Sequence, residues 1–383
     1  MKWTFPQLDM QTFYLDDEAV VLASGRLYHL NASAALVWAC LEEGMAPEPA
    51  AMALTTGFGL HPEQAQAGVA RLQALWHEAG LLTDGSGVPE DAPLEARVAC
   101  EPPPAFRPAV WRRYRLLDST FCVQHQSAES DRWVHPLLAH LVATDEPTHT
   151  LSIFRDGEGY EISHDGWLAG RCADLVELAP LVSLELLLSA YPEASALTAF
   201  HAGAVALNGR CALLPGESGS GKSTLTAALV ADGLGLVSDE VGLLTRDVHA
   251  VRPVPVCLSL KDGAWPVLGS RYPDLSRLAV HRRLDGRQVR YLPPPTTSHL
   301  PDQPLPVAVV VFPRYRPGGA TRLEAIPAGE ALCRISVAGY DLIDLQDEHT
   351  VAELLAWLRG VPRYVLEYSS LDEACTTVRE LLA

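Results

Sequence analysis

The 383-residue sequence contains no run of roughly 18 consecutive apolar residues, so it offers no membrane-spanning helix. Its first residues lack the charged-then-apolar plan of a signal peptide, and a cytoplasmic location is expected. There is no C-x-x-C pair: eight cysteines (40, 100, 122, 172, 211, 257, 333, 375) are scattered, several in apolar runs. That excludes a disulfide framework and a cysteine zinc site, and leaves reduced, mostly buried thiols. The histidines at 125, 135, 140, 149 and 164 lack a metal-ligand spacing and read as solvated or core residues. Positive charge is scarce as well. Only 29 Lys and Arg stand against 47 Asp and Glu, a net charge of -18, which opposes nucleic acid and anionic membranes as general partners.

What is present centres on Ala212-Leu-Leu-Pro-Gly-Glu-Ser-Gly-Ser-Gly-Lys-Ser-Thr224, an apolar run, a glycine-rich turn and the start of a helical pattern from Leu225 to Val230. It fits G-x-x-x-x-G-K-S, the phosphate-binding loop. Gly216, Gly219 and Gly221 let the backbone approach an anion closely, and the amides of Glu217, Ser218, Ser220 and Thr224 join the positive end of the helix dipole. Lys222 supplies a mobile cation for the outer phosphates, and the Ser223 hydroxyl is a hard oxygen ligand for magnesium. ATP and Mg2+ are the implied ligands.

Downstream, Leu234 to Ser238 reads as a buried strand ending at Asp239-Glu240, sixteen positions after Ser223. One helix and a return fit in that interval. The two strands are therefore expected to be parallel neighbours, with Asp239 facing the terminal phosphate as a magnesium partner or as the base for an incoming hydroxyl. Glu240 is the adjoining candidate metal ligand. Transport-type ATPases place their acidic strand end far later and carry Leu-Ser-Gly-Gly-Gln, which this sequence lacks. A phosphotransferase is expected.

His201-Ala-Gly-Ala-Val, the loop and Val237-Ser-Asp-Glu240 resemble, in that order, the C-terminal domain of HPr kinase/phosphorylase. Similarity to HPr-kinase-related proteins found near peptide-modifying enzymes extends to Ser259-Leu-Lys261, Phe312-Pro-Arg-Tyr-Arg316 and Leu366-Glu-Tyr-Ser-Ser-Leu-Asp-Glu373, and spans roughly residues 108 to 383. The resemblance implies an α/β P-loop kinase fold, with Lys222 and Ser223 as phosphate and magnesium residues, Asp239 as catalytic aspartate and His201 as active-site histidine. It also carries an expectation of self-association, since those relatives are hexameric. Glu240 replaces a second Asp, and the Glu-x-Arg-Gly-x-Gly signature is missing, so phosphorolysis is not implied.

Residues 1–84 read as strands at Thr12–Tyr14, Ala19–Ala23 and Arg26–Leu30, with a Ser24-Gly25 turn, followed by three helices and Gly80-Leu-Leu, an α+β unit of winged-helix type. Three Lys/Arg against ten Asp/Glu there make duplex binding a poor fit. The order Leu-Asp-Asp-Glu, strand, Gly-Arg-Leu-Tyr-His-Leu-Asn, three helices resembles PqqD-like peptide chaperones. That resemblance implies capture of a precursor peptide's leader as an added strand, with Arg26–Leu30, Arg71, Leu75 and Trp76 as candidate contacts; Leu75 and Trp76 at helical spacing also suit a core.

Residues 85–107, rich in Pro, Gly and acid, read as a linker, 108–195 as a small α/β lobe, and 196–383 as the catalytic domain. Lys261 at a strand end suits a phosphate or a substrate carboxylate, and Arg314 and Arg316 at another suit the transferred phosphoryl. Six arginines between 271 and 290 suit guidance of an acidic substrate, a neighbouring subunit's site, or plain solvation. The function expected is ATP-dependent phosphorylation of a Ser or Thr on a captured precursor peptide; the alternative is a peptide-stimulated ATPase that hands the peptide to another enzyme.

Overall fold

The computed structural model describes residues 10–15, 17–23, 26–82, 98–191, 195–217, 219–283, 285–295, 303–338 and 348–383. The Ser24-Gly25 turn and the linker stretch 83–97 lie outside them. The chain divides into two compact units. The first begins with an antiparallel meander of β1 (Met10–Leu15), β2 (Glu18–Ala23) and β3 (Arg26–Leu30), then α1 (Ala32–Glu42), α2 (Pro47–Phe58) and α3 (Pro62–Glu78). Asn31 caps α1 by accepting from the Ala34 amide, worth about 1 kcal/mol, and Pro47 and Pro62 open the next two helices, where a missing N–H costs nothing. Ala19, Val21 and Ala23 face the helices, in a core centred on Trp38 and Trp76, whose rings meet edge to face at 5.0 Å. Trp76 is thus a core residue, not an exposed contact.

The second unit starts before its expected boundary. Residues 98–106 are not free linker: Cys100 and Leu168 bond backbone to backbone with Gly166 and Val98, and Phe106 packs on Phe154. Five strands follow, β4 (Val110–Leu116), β5 (Ser119–His125), β6 (His149–Asp156), β7 (Gly159–His164) and β8 (Trp167–Cys172), in sequential order, with α4 (Ala128–Leu138) between β5 and β6 and α5 (Leu175–Ser189) after β8. Their core does not close on itself. Phe121, Ile153, Leu178 and Val182 share one cluster with Ala199, Val241 and Leu243 of the next sheet, so the small lobe and the catalytic region are one body.

That larger sheet is built on β9 (Ala196–Leu207), β10 (Arg210–Pro215), β11 (Gly235–Ser238), β12 (Val241–Thr245) and β13 (Ala250–Arg252), with α6 (Lys222–Ala231) between β10 and β11. A three-stranded sheet of β14 (Leu258–Lys261), β15 (His281–Arg282) and β16 (Gln288–Leu292) flanks it, with the short α7 (Trp265–Leu268) after β14; β17 (Leu305–Tyr315) and β18 (Arg322–Ala325) return to the main sheet. The strands either side of α6 are parallel in direction but are not neighbours. Both β10 and β11 pair antiparallel with β9, which lies between them. On its other edge β10 pairs parallel with β17. Leu225 and Leu229 of α6 are fully buried against this sheet, each contributing about 1.5–3 kcal/mol by leaving water.

Two helices from the stretch assigned by sequence to the catalytic domain belong instead to the first unit: α8 (Ala328–Ala338) and α9 (Glu348–Gly360). A Cβ on Gly329 would come within 3.1 Å of Leu15 and Val20 and 2.9 Å of His29, so α8 sits directly on the face of the meander turned away from α1–α3. Covered on both faces, β2 can be the unbroken apolar run Ala19–Ala23 instead of an alternating strand. The chain then closes the second unit with β19 (Arg363–Tyr368) and α10 (Leu371–Leu382). All eight cysteines are free, seven of them buried, and among the described residues no helix is long and apolar enough to cross a membrane.

Candidate active site

A cavity of 680 Å³ opens at the N-terminus of α6, lined by Glu217, Gly219, Gly221, Lys222, Ser223 and Thr224 on one side and by Glu240, Ser259, Lys261 and Arg283 on the other. Gly216 and Ser220 support the turn without lining it, and Ser218 lies outside the described residues. Gly221, the N-cap of α6, has φ 95°, and a Cβ there would strike the Tyr368 hydroxyl, so both conformation and space require glycine. Its carbonyl accepts from that hydroxyl at 3.3 Å, which ties the loop to β19.

The strand order explains the cluster at the cavity floor. Because β9 runs antiparallel between β10 and β11, its residue His201 lies at the end where those two strands finish. Lys222, Asp239 and His201 therefore converge. The Lys222 ammonium donates to His201 Nε2 at 2.9 Å and to the Asp239 carbonyl at 3.4 Å. On the other side of the ring, His201 Nδ1 lies 3.2 Å from the Glu240 carbonyl and 3.5 Å from Glu240 Oε2. One neutral tautomer, protonated at Nδ1, satisfies both contacts. Burial, with Lys222 close by, pushes His201 down to about 4, which favours that neutral form. Burial also lowers Lys222 from the ordinary lysine value, against the pull of Glu240 and Asp239.

Asp239 is fully buried, and burial followed by repulsion from Glu240 raises its pKa; Lys222, the Ser259 amide and the Ser223 hydroxyl oppose the rise. Its Oδ2 accepts from the Ser259 amide at 2.9 Å. Ser223 is near enough to act on the carboxyl, yet Oδ1 closes no hydrogen bond of ordinary geometry. A buried carboxylate oxygen without a partner, beside a hydroxyl, is a donor set that fits a hard, oxygen-seeking cation such as magnesium. Glu240 faces elsewhere, with Oε1 3.5 Å from Arg283 and Oε2 toward His201.

The cavity is lined by Lys222, His201, Ser259, Glu240 and Lys261; Asp239, expected to face it, is fully buried and is not among the lining residues, its carboxyl being held by the Ser259 amide. Lys261 is pushed below the ordinary lysine range by burial and by the charges of Arg283 and Arg287. Arg314 and Arg316 are not brought there: both lie about half exposed on Glu367, at 3.2 and 3.1 Å. The guanidinium that does line the cavity is Arg283, hidden among six arginines of a polar stretch, and Tyr315 and Tyr368 join it from β17 and β19. Nothing in local spacing distinguishes Arg283 from its neighbours; only the pairing of β15 with β16 aims it inward.

The first unit presents a different kind of surface. Among the described residues its β3 pairs only with β2 in the meander, and α3 carries an exposed Leu75 and an exposed Arg71. Residues 18–82 match the family described as coenzyme PQQ synthesis protein D (PqqD). In this PqqD-like domain, Leu75 is exposed while its neighbour Trp76 is buried on Trp38, which separates the two candidate contacts on one helix. Among solved structures, a chain of TbiB1 in complex with the TbiA(beta) leader peptide aligns at 22% identity over 22% of this chain and 99% of its own, with a TM-score of 0.20. No curated protein matches the chain.

Proposed function

We propose that the protein is an ATP-dependent kinase that phosphorylates a Ser or Thr hydroxyl of a ribosomally made precursor peptide held by its PqqD-like domain. The observation that supports this reading is the convergence at the N-terminus of α6: Lys222, which lines a 680 Å³ cavity, donates to the carbonyl of the buried Asp239, whose carboxyl is held by the amide of Ser259, another lining residue. In such a site the amides of the loop and the Lys222 ammonium hold the β- and γ-phosphates. Asp239 takes the proton from the incoming hydroxyl as its oxygen bonds to the γ-phosphorus, the bond to the β–γ bridging oxygen breaks, and ADP leaves. His201 fixes the Lys222 ammonium and is a positioning residue. Ser223 would hold magnesium, which would neutralise phosphate charge when bound; the Asp239 oxygen that takes the proton would not be its ligand in that step.

The peptide side of the proposal rests on the match of residues 18–82 to PqqD and on the outer edge of β3, which no other described strand pairs with and where an extended segment would add as a strand. The test is transfer of label from γ-labelled ATP to candidate precursor peptides, read by mass spectrometry at single-residue resolution. A phosphopeptide formed by the native protein and not by Lys222→Ala supports the kinase. Peptide-stimulated release of free phosphate with no phosphopeptide supports the ATPase switch and overturns it.

A further inference from the structure

We infer that the second unit holds a zinc-class metal site, away from the ATP cavity, formed by His149, His164 and Asp165 with Glu185 behind His164. His149 opens β6 and His164 closes β7, two paired strands, so residues fifteen apart in sequence come together at one end of the small lobe. Asp165 follows at φ 48°, the left-handed region, which Asp tolerates better than most residues. The ligand-capable atoms of these three side chains all lie within 4.8 Å of one another.

The arrangement around them is that of metal ligands. Asp165 Oδ1 is fixed by the Thr150 amide at 2.8 Å, which leaves Oδ2 facing both histidines, 2.9 Å from His149 Nδ1 and 3.4 Å from His164 Nε2. Zinc bound tetrahedrally at about 2.0–2.1 Å sets its ligand atoms about 3.4 Å apart, so one of these spacings already fits and the other needs to open by about half an ångström. His164 Nδ1 is held at 2.5 Å by Glu185 Oε1, and Ser189 in turn donates to Glu185 at 3.1 Å. A carboxylate on the far nitrogen is how metal-bound histidines are oriented. The near nitrogen, His164 Nε2, is buried and makes no hydrogen bond. His149 is braced by stacking on Phe121 at 5.3 Å. Two imidazoles and one carboxylate select zinc or a similar first-row ion over magnesium, which seeks oxygen alone. None of these residues lines the cavity at Lys222, so the site is independent of the kinase reading.

The experiment is zinc titration of the full-length protein after chelation, with bound metal counted by elemental analysis, for the native chain and for His164→Ala, Asp165→Asn, Glu185→Gln and Asp239→Asn. Asp165→Asn keeps both shape and tolerance of the left-handed backbone, and far-ultraviolet circular dichroism checks the fold of each variant. The native chain and Asp239→Asn should bind one more zinc per chain than His164→Ala or Asp165→Asn, and Glu185→Gln should bind it about 10–100-fold more weakly. Excess magnesium should not displace it. Equal zinc stoichiometry and affinity in native protein and folded Asp165→Asn would overturn the site, as would loss of the extra zinc in Asp239→Asn.

Discussion

The cavity at α6 and the PqqD-like domain are built by opposite means. Around the cavity, charge is buried and specific: Lys222 and Asp239 are both out of water, Lys222 donates to the Asp239 carbonyl, and His201 links Lys222 to Glu240 through one tautomer. In the PqqD-like domain the interior is apolar and aromatic, and its outward face includes a strand edge and the exposed Leu75. Side-chain chemistry therefore fails by losing a single atom, whereas an edge of backbone amides fails only when the scaffold behind it moves.

The sharpest test of that contrast is Asp239→Asn. It preserves shape and removes the base, so phosphoryl transfer should fall by about 10²–10⁴-fold, while affinity for the leader peptide, measured by fluorescence anisotropy, stays as in the native chain. Because burial raises the Asp239 pKa, the native rate should climb with pH through a range above that of ordinary carboxylates, as the base form appears. Equal loss of transfer and peptide affinity would erase the distinction between the two regions.

The converse substitution is Trp76→Ala. Trp76 fills the space against Trp38, and its removal should cost about 3–5 kcal/mol of the stability of its unit and abolish leader binding. Leu75→Ala, one residue away but exposed, should change stability by less than about 0.5 kcal/mol. Denaturant unfolding of the two variants, with peptide binding measured on each, separates scaffold from contact.

These contrasts also account for what could be read from sequence. The glycine-rich loop before α6 is contiguous, so its glycines, Lys222 and Ser223 announce themselves in thirteen residues. The apolar periodicity of α1 and α3 places the first core equally well. What the pattern could not supply is strand order: β9 slips between β10 and β11, and this makes His201 a clasp for Lys222. Nor does hydropathy reveal that α8, far along the chain, covers the meander, because an apolar face does not say what it packs on and the close approach is made at a glycine, Gly329. His149 and His164 look unrelated until the pairing of β6 with β7 brings them together.

A smaller and more gradual effect is expected from acid. His125, His201 and His281, all in the second unit, are each pushed down to about 4, chiefly by burial. The unfolded chain takes up these protons near pH 6.5 and the folded chain refuses them until about pH 4, so stability falls as pH drops through that window. Each histidine contributes a slope of at most about 1.4 kcal/mol per pH unit. His281 packs edge-on between Trp133 and Tyr291, so His281→Phe should keep the packing and remove its share of the slope. Unfolding free energies at pH 7 and pH 5 for native and variant protein give the comparison; identical slopes would mean that His281 is protonated in the folded state.

The smallest effect is expected at the two arginines that the sequence offered for the transferred phosphoryl. Arg314 and Arg316 sit at the end of β17, yet their guanidiniums share Glu367, itself partly exposed, and an exposed pair of this kind is worth about 0–1 kcal/mol. Arg314→Ala and Arg316→Ala should each change the transfer rate by less than about twofold, because removing a charge already neutralised and hydrated takes little from the transition state. Arg283 is the proper contrast. It lines the cavity against Glu240, and Arg283→Ala removes a cation facing the phosphates while releasing Glu240 to repel them, so its loss should exceed tenfold. If the rates of the three variants ranked the other way, the cationic end of the transferred phosphoryl would lie at Glu367, outside the cavity, and Asp239 could not be its base.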